Sequence, residues 1–159
     1  SQGVLALFER PRVTLDQLFA RDETVVVALD GVQDPGNVGA IVRLAAAFDA
    51  GGVALLPGCA DPFGPKAIRA SAGAILSVPC ASATQADLGW PLFAADARGE
   101  AIEPPARRAI LLFGSEGSGV SEEIARDARK IAIPMSKRIE SLNVAMAAAI
   151  LLSRSYALR

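Results

Sequence analysis

The chain is predicted to be an α/β domain, with a mostly parallel sheet carrying helices on both faces. Short β-rich apolar runs alternate with helical patterns along its 159 residues. These runs are almost continuously apolar, as strands buried on both faces must be. A 52% hydrophobic, 21% charged composition suits one compact domain rather than two full ones or a disordered tail.

Residues 24–30 (TVVVALD) read as a buried strand. The turn Asp34-Pro35-Gly36 follows, then a helix over 37–50 that Asn37 can cap. Val38, Ile41, Ala45 and Phe48 form its apolar stripe. A second strand is expected over 52–56, a short helix over 66–74 and a strand near 75–78. Further strands are expected over 92–96, 109–113 and 130–133. Ser121 is placed to cap a helix over 121–128, with Glu122 and Glu123 in its first turn, where the dipole favours them. The last helix runs over 141–157 with Ser141 as its cap. Residues 1–23 read as a lead-in segment and 24–159 as the domain, without internal repeat or linker.

Composition excludes several chemistries. The chain has no histidine, which removes Ser-His, Cys-His and His-metal mechanisms. Cys59 and Cys80 form no CxxC, so no metal is expected and both read as buried thiols in a reducing cytoplasm. A domain of this size hides roughly 70% of its extended surface and needs no disulfide. The apolar run from Val144 to Leu152 is nine residues, about half of the roughly 20 that span a bilayer. The opening SQGVLALFERP lacks a signal-peptide pattern, and a cytoplasmic protein without a membrane segment is expected. Net charge is −1, yet residues 1–97 carry 6 Lys+Arg against 10 Asp+Glu while 98–159 carry 10 against 7. A polyanion site should therefore draw on the second part.

In a parallel sheet the ligand site lies beyond the carboxyl ends of the strands, where three loops qualify. On the first helix Arg43 lies opposite the apolar stripe, among Gly39, Ala40 and Ala47. Such small residues allow close approach by RNA or a second subunit, or leave a solvated arginine. The second loop, LLFGSEGSGVS (111–121), approaches the phosphate-cradling G-x-x-x-x-G-K-[ST] pattern, but Val120 replaces the lysine and Glu116 would repel phosphate. A glycine-rich backbone for a neutral or cationic ligand remains, or a plain flexible loop. In the third segment (133–152) a polar loop with Lys137, Arg138 and Glu140 precedes a helix that is apolar nearly all round. That helix should be enclosed by its own domain or by a partner subunit.

In this order, the three segments resemble the motifs of the SpoU (TrmH-like) family of SPOUT RNA methyltransferases over about residues 24–156. Asn37, Gly39 and Arg43 match the first motif, and Gly114, Glu116 and Gly117 the second. Ile133-Pro134-Met135 with Ser141-Leu142-Asn143-Val144 match the third; KAIRASAG (66–73) and the opening QGVLAL are also similar to family segments. The chain departs from the pattern at Lys137, Ala145 and Arg154.

The resemblance implies S-adenosyl-L-methionine-dependent methylation of a ribose 2′-oxygen in structured RNA, by a homodimer with a C-terminal trefoil knot. Large-subunit ribosomal RNA is the first expected substrate and transfer RNA the second. A non-catalytic dimer that binds the cofactor or RNA is the alternative. The implied cofactor residues are Gly114, Glu116, Gly117, Ile133, Met135, Ser141, Leu142 and Asn143. The implied catalytic set is Arg43, Asn37, Ser141, Asn143 and Glu116. Arg43, Arg69, Lys137 and Arg138 are the expected RNA contacts, with Arg107 and Arg108 as further candidates. Neutralising a guanidinium at pH 7 costs about 7 kcal/mol, so stabilising a developing alkoxide is the cheaper role for Arg43 than acting as a base.

Overall fold

In the computed structural model, residues 3 and 6–159 are described. Of the opening QGVLAL, Gln2, Val4 and Leu5 lie outside the described residues.

The two most apolar runs form the centre of the sheet. β1 (Val25–Asp30) and β5 (Ala109–Gly114) pair in parallel over their whole length, and every residue of both except Asp30 is fully buried. β2 (Val53–Leu55) and β3 (Cys80–Ser82) extend the sheet on the β1 side. β4 (Leu92–Glu100) and β6 (Arg129–Ile131) extend it on the β5 side. The order is β3-β2-β1-β5-β4-β6, and every pairing is parallel.

Alternate residues feed two cores. Val25, Val27 and Leu29 pack with α2 (Pro35–Ala47) and α5 (Val144–Ala157). Val26 and Ala28 pack with Leu18 of α1 (Leu15–Leu18) and Ile124 of α4 (Glu122–Ala125). The predicted two-sided sheet is therefore present. The expected stripe on α2 is also present, with Val38, Ile41 and Ala45 buried and Phe48 packed at its margin.

Several local expectations are corrected. The strand expected near 75–78 is a 3-10 turn over Ala74–Leu76, and the strand begins at Cys80. Ala72 and Gly73 both take left-handed backbone, which ends α3 (Pro65–Ser71) and bends the chain. Pro79 has no N–H, but its carbonyl accepts the Val53 N–H at 2.8 Å and sets the register from there. Ile75 and Val78 are buried in the core without strand geometry. α4 stops at Ala125, short of the expected 128.

The helix caps also differ. α2 starts at Pro35 and is capped by the Asp34 carboxylate, which accepts the Asn37 N–H at 3.1 Å. Asn37 is therefore not the cap. α5 starts at Val144 and is capped by Asn143, whose Oδ1 accepts the N–H groups of Ala145 and Met146 at 3.0 and 3.3 Å; Ser141 does not cap it. Ser121 occupies the cap position of α4 without a side-chain bond. α5 is enclosed on its inner face only, since Met146 is 61% exposed.

Candidate active site

The chain leaves β1 toward β2 on one side and leaves β5 toward β6 on the other. The connections diverge between β1 and β5, where Asp30 and Gly114 stand side by side in register. A crevice opens at such a point, beyond the carboxyl ends of the strands. Asp30 holds one side of it: its Oδ2 accepts the Ser121 N–H at 2.7 Å, tying the loop after β5 to the end of β1.

That loop is a tight turn. Ser115 and Gly119 exchange backbone hydrogen bonds of 3.1 and 2.9 Å, and the hydroxyls of Ser115 and Ser118 are 2.7 Å apart. Gly114 is required beneath it, because a Cβ there would lie 2.0 Å from the Gly119 carbonyl carbon. At Gly117 and Gly119 a Cβ would meet nothing within 4 Å, so the turn presents bare backbone outward.

Glu116 projects from the turn and gathers the other two loops. Its Oε1 accepts the Asn37 Nδ2–H at 2.7 Å and the Asn143 Nδ2–H at 2.6 Å. Asn143 Nδ2 also donates to Asn37 Oδ1 at 3.2 Å. These residues are 79 and 27 positions apart from Glu116, Asn37 in the first turn of α2 and Asn143 at the start of α5. Capping explains why the amides are available. Asp34 does the capping of α2, which releases Asn37, and Asn143 caps with its oxygen, which turns its amide nitrogen toward Glu116. Lys66 of α3 pairs with the Asp34 carboxylate and, through that hydrogen bond first, holds it below the ordinary carboxyl range.

A cleft of about 800 Å³ opens beside this triangle. Of the expected cofactor residues, Gly114, Glu116, Gly117, Ile133, Met135, Ser141 and Leu142 line it, and Asn143 reaches it through Glu116. Ile133, Met135 and Leu142 give it an apolar wall, and the turn gives it bare backbone and a carboxylate. This combination fits a cofactor with a flat heterocycle and a cationic sulfur: the apolar wall suits the ring, the open backbone its polar edge, and Glu116 the positive charge.

The expected RNA contacts are placed differently. Arg43 lies on the exposed face of α2, outside the cleft walls, with Ala46 and Ala47 exposed beside it. Arg69 is exposed on α3, and Lys137 and Arg138 are exposed on the loop before α5. Lys137 is not among the residues with positive φ, so the missing family glycine leaves no backbone strain there. Gly39 is not on the open patch expected of it. It is buried against α3, where a Cβ would lie 2.2 Å from the Ala67 carbonyl oxygen. The close approach that small residues allow is therefore made by the chain's own helix.

Sequence reasoning did not single out the β4 side of the cleft, formed by Asp96, Arg98, Arg126 and Lys130. A signal existed in the excess of cations after residue 97. Neither cysteine offers a nucleophile: burial raises the Cys59 thiol and pushes Cys80 up to about 12. Among the described residues no group of His, Cys, Asp and Glu could hold a metal ion, and no helix is long and apolar enough to cross a membrane.

Residues 24–153 match the profile of the SpoU rRNA Methylase family. An uncharacterised tRNA/rRNA methyltransferase of Mycobacterium bovis is 39% identical over 168 residues, covering 94% of this chain and 58% of the relative. The 23S rRNA (adenosine(1067)-2′-O)-methyltransferase of Streptomyces laurentii is 38% identical over 143 residues, covering 81% of this chain and 53% of the relative. The chain thus spans little more than half the length of these relatives. The crystal structure of the SpoU methyltransferase AviRb from Streptomyces viridochromogenes, in complex with AdoMet, superposes with a TM-score of 0.81 at 27% identity. That superposition covers 93% of this chain and 62% of AviRb.

Proposed function

The chain belongs to the SpoU rRNA Methylase family, and from that premise we propose that it methylates a ribose 2′-oxygen in structured RNA using S-adenosylmethionine. One observation carries the reading: a single carboxylate oxygen of Glu116 holds an amide from the start of α2 and one from the start of α5, at the mouth of a cleft suited to that cofactor. The family premise supports a homodimer and a C-terminal trefoil knot as well. The 61% exposed Met146, on an α5 that packs beside α2, offers an apolar start for a dimer face. A cytoplasmic setting accords with this chemistry.

When bound, S-adenosylmethionine supplies a methyl group activated by its sulfonium. The protein's task is then placement and the handling of one proton, and placement alone can contribute roughly 7–11 kcal/mol. Gly114, Glu116, Gly117, Ile133, Met135, Ser141 and Leu142 would hold the cofactor. Glu116 fixes the Asn37 and Asn143 amides, so neither has to reorganise when the ribose arrives. The Ser141 hydroxyl, freed from capping, is available to the reacting groups. Arg43 stands on the exposed face of the same helix as Asn37, where an RNA strand or a partner subunit's edge can meet it. Its role is to stabilise the charge developing on the 2′-oxygen. Arg69, Lys137 and Arg138 take phosphate contacts around the mouth.

Large-subunit ribosomal RNA is the preferred substrate, because a relative at 38% identity bears a 23S rRNA 2′-O-methyltransferase name; transfer RNA is second. The test is transfer of labelled methyl from S-adenosylmethionine to ribosomal and transfer RNA, followed by nucleoside analysis. A labelled 2′-O-methylnucleoside is expected. Label confined to bases, or none in either RNA class, would overturn the reading.

A further inference from the structure

The cleft is chemically uneven. Near the Glu116 triangle it is apolar wall and bare backbone, whereas its β4 side carries several charges. Most of those charges are spoken for. Asp96 pairs with Lys130 at 3.1 Å and with Arg98 at 3.5 Å. Of the charged residues that line the cleft, Glu116, Glu122, Arg126 and Glu140 have no ion pair among the described residues, and Glu122 and Arg126 come from one short stretch of chain.

They are arranged as a unit. Arg126 follows Ala125 with helical backbone (φ −64, ψ −36), and its N–H donates to the Glu122 carbonyl at 3.2 Å. Residues four apart on a helix share a face and stand about one turn apart. Both line the cleft, with Ala125 between them adding little bulk. The wall therefore presents one carboxylate and one guanidinium within a turn of each other, both opening onto the same cavity.

We propose that Glu122 and Arg126 bind the α-amino acid end of the cofactor, the carboxylate taking its ammonium and the guanidinium its carboxylate. This rests on the cofactor reading above and adds a specificity contact to it. The zwitterion carries its ammonium and carboxylate on one α-carbon, and the Glu122–Arg126 pair is the complementary arrangement. A guanidinium holds a carboxylate through two parallel N–H groups, a geometry an ammonium cannot reproduce. Neither residue falls in the loops that fold around the Glu116 triangle, so each can be changed without touching it.

Calorimetry with two neutral thioethers tests the assignment. S-adenosylhomocysteine carries the amino acid end, and 5′-methylthioadenosine lacks it. Arg126→Gln is expected to weaken S-adenosylhomocysteine about 10–100-fold, the usual span for a lost charge-assisted contact, and to leave 5′-methylthioadenosine within about twofold. Arg126→Lys should lie between the wild type and Arg126→Gln. Glu122→Gln, as an independent arm, should also discriminate against S-adenosylhomocysteine alone. Equal weakening of both ligands would mean a merely structural wall, and no change in either would mean the pair does not meet the ligand; both results overturn the proposal. Wild-type protein that binds neither thioether would overturn the cofactor reading itself and this inference with it.

Discussion

At the amino end of the strands, the Asp49 carboxylate takes both terminal guanidinium nitrogens of Arg21 at 2.8 Å and a third contact from Arg159 at 3.3 Å. At the carboxyl end, Glu116 receives two amides on one oxygen, and among the described residues its second oxygen has no partner. Both clusters gather groups far apart in sequence around one carboxylate. The first is closed: Arg159 also donates to the carbonyls of Asp49 and Ala106, and Ser155 to that of Pro105 at 2.6 Å, so the end of α5 is tied down. The second is open and faces a cleft. Like groups thus hold the fold where their valences are filled, whereas here one is left over beside a cleft.

The comparison makes separable predictions. Glu116→Ala leaves the Nδ2 groups of Asn37 and Asn143 without their acceptor, and methyl transfer should fall about 100-fold, the cost of small misplacement in a preorganised site. Because Glu116 is exposed, unfolding free energy in urea should change by no more than about 0.5 kcal/mol. Undiminished methyl transfer would remove the distinction between the two ends.

Gly39→Ala acts between them. A Cβ 2.2 Å from the Ala67 oxygen and 2.7 Å from the Ala70 Cβ forces α2 and α3 apart. A loss of about 1–3 kcal/mol in urea titration is expected from such overpacking. Methyl transfer should fall with it, since α2 carries Asn37 and Arg43.

The smallest effect belongs to Asp49→Asn, which suits the left-handed backbone at φ 48 and deletes only the charge. The hydrogen bond from Arg21 holds the Asp49 carboxyl below the ordinary carboxylate range. A depressed folded value stabilises above the unfolded one, so the contribution is complete above about pH 4 and is lost as pH falls through the folded value. Its side chain is 48% exposed, so solvent screening limits the loss to about 1 kcal/mol or less at pH 7. The difference between wild type and variant should shrink as pH falls below about 4, with methyl transfer at pH 7 unchanged. A difference that persists in acid would mean the cluster acts through shape rather than charge.

Much of this layout was legible in local pattern. TVVVALD and AILLFG read as buried strands because unbroken apolar runs have no solvent-facing side to offer, and both form the sheet centre. The three loops were legible as polar breaks after such runs, the first two of them bearing glycine. The caps were less so: Asn37 and Asp34 are both good capping residues three positions apart, as are Ser141 and Asn143 two apart. The helix start was decided by Pro35 in one case and by the Glu116 contact with Asn143 in the other. The cation-bearing wall from β4 was not legible, because Asp96 and Lys130 meet only when β6 pairs beyond β4.

The sequence by itself determined the alternation of strands and helices, the positions of the breaks between them and the chemical character of each loop, because these depend on periodicity and composition within a few residues. Tertiary structure alone decided that Glu116 faces Asn37 and Asn143, that Gly39 seats α3 rather than a partner, and that Glu122 and Arg126 share a cleft with Met135. Those outcomes follow from the divergence of the chain between β1 and β5 and from strand register, which bring residues together across separations that no local pattern encodes.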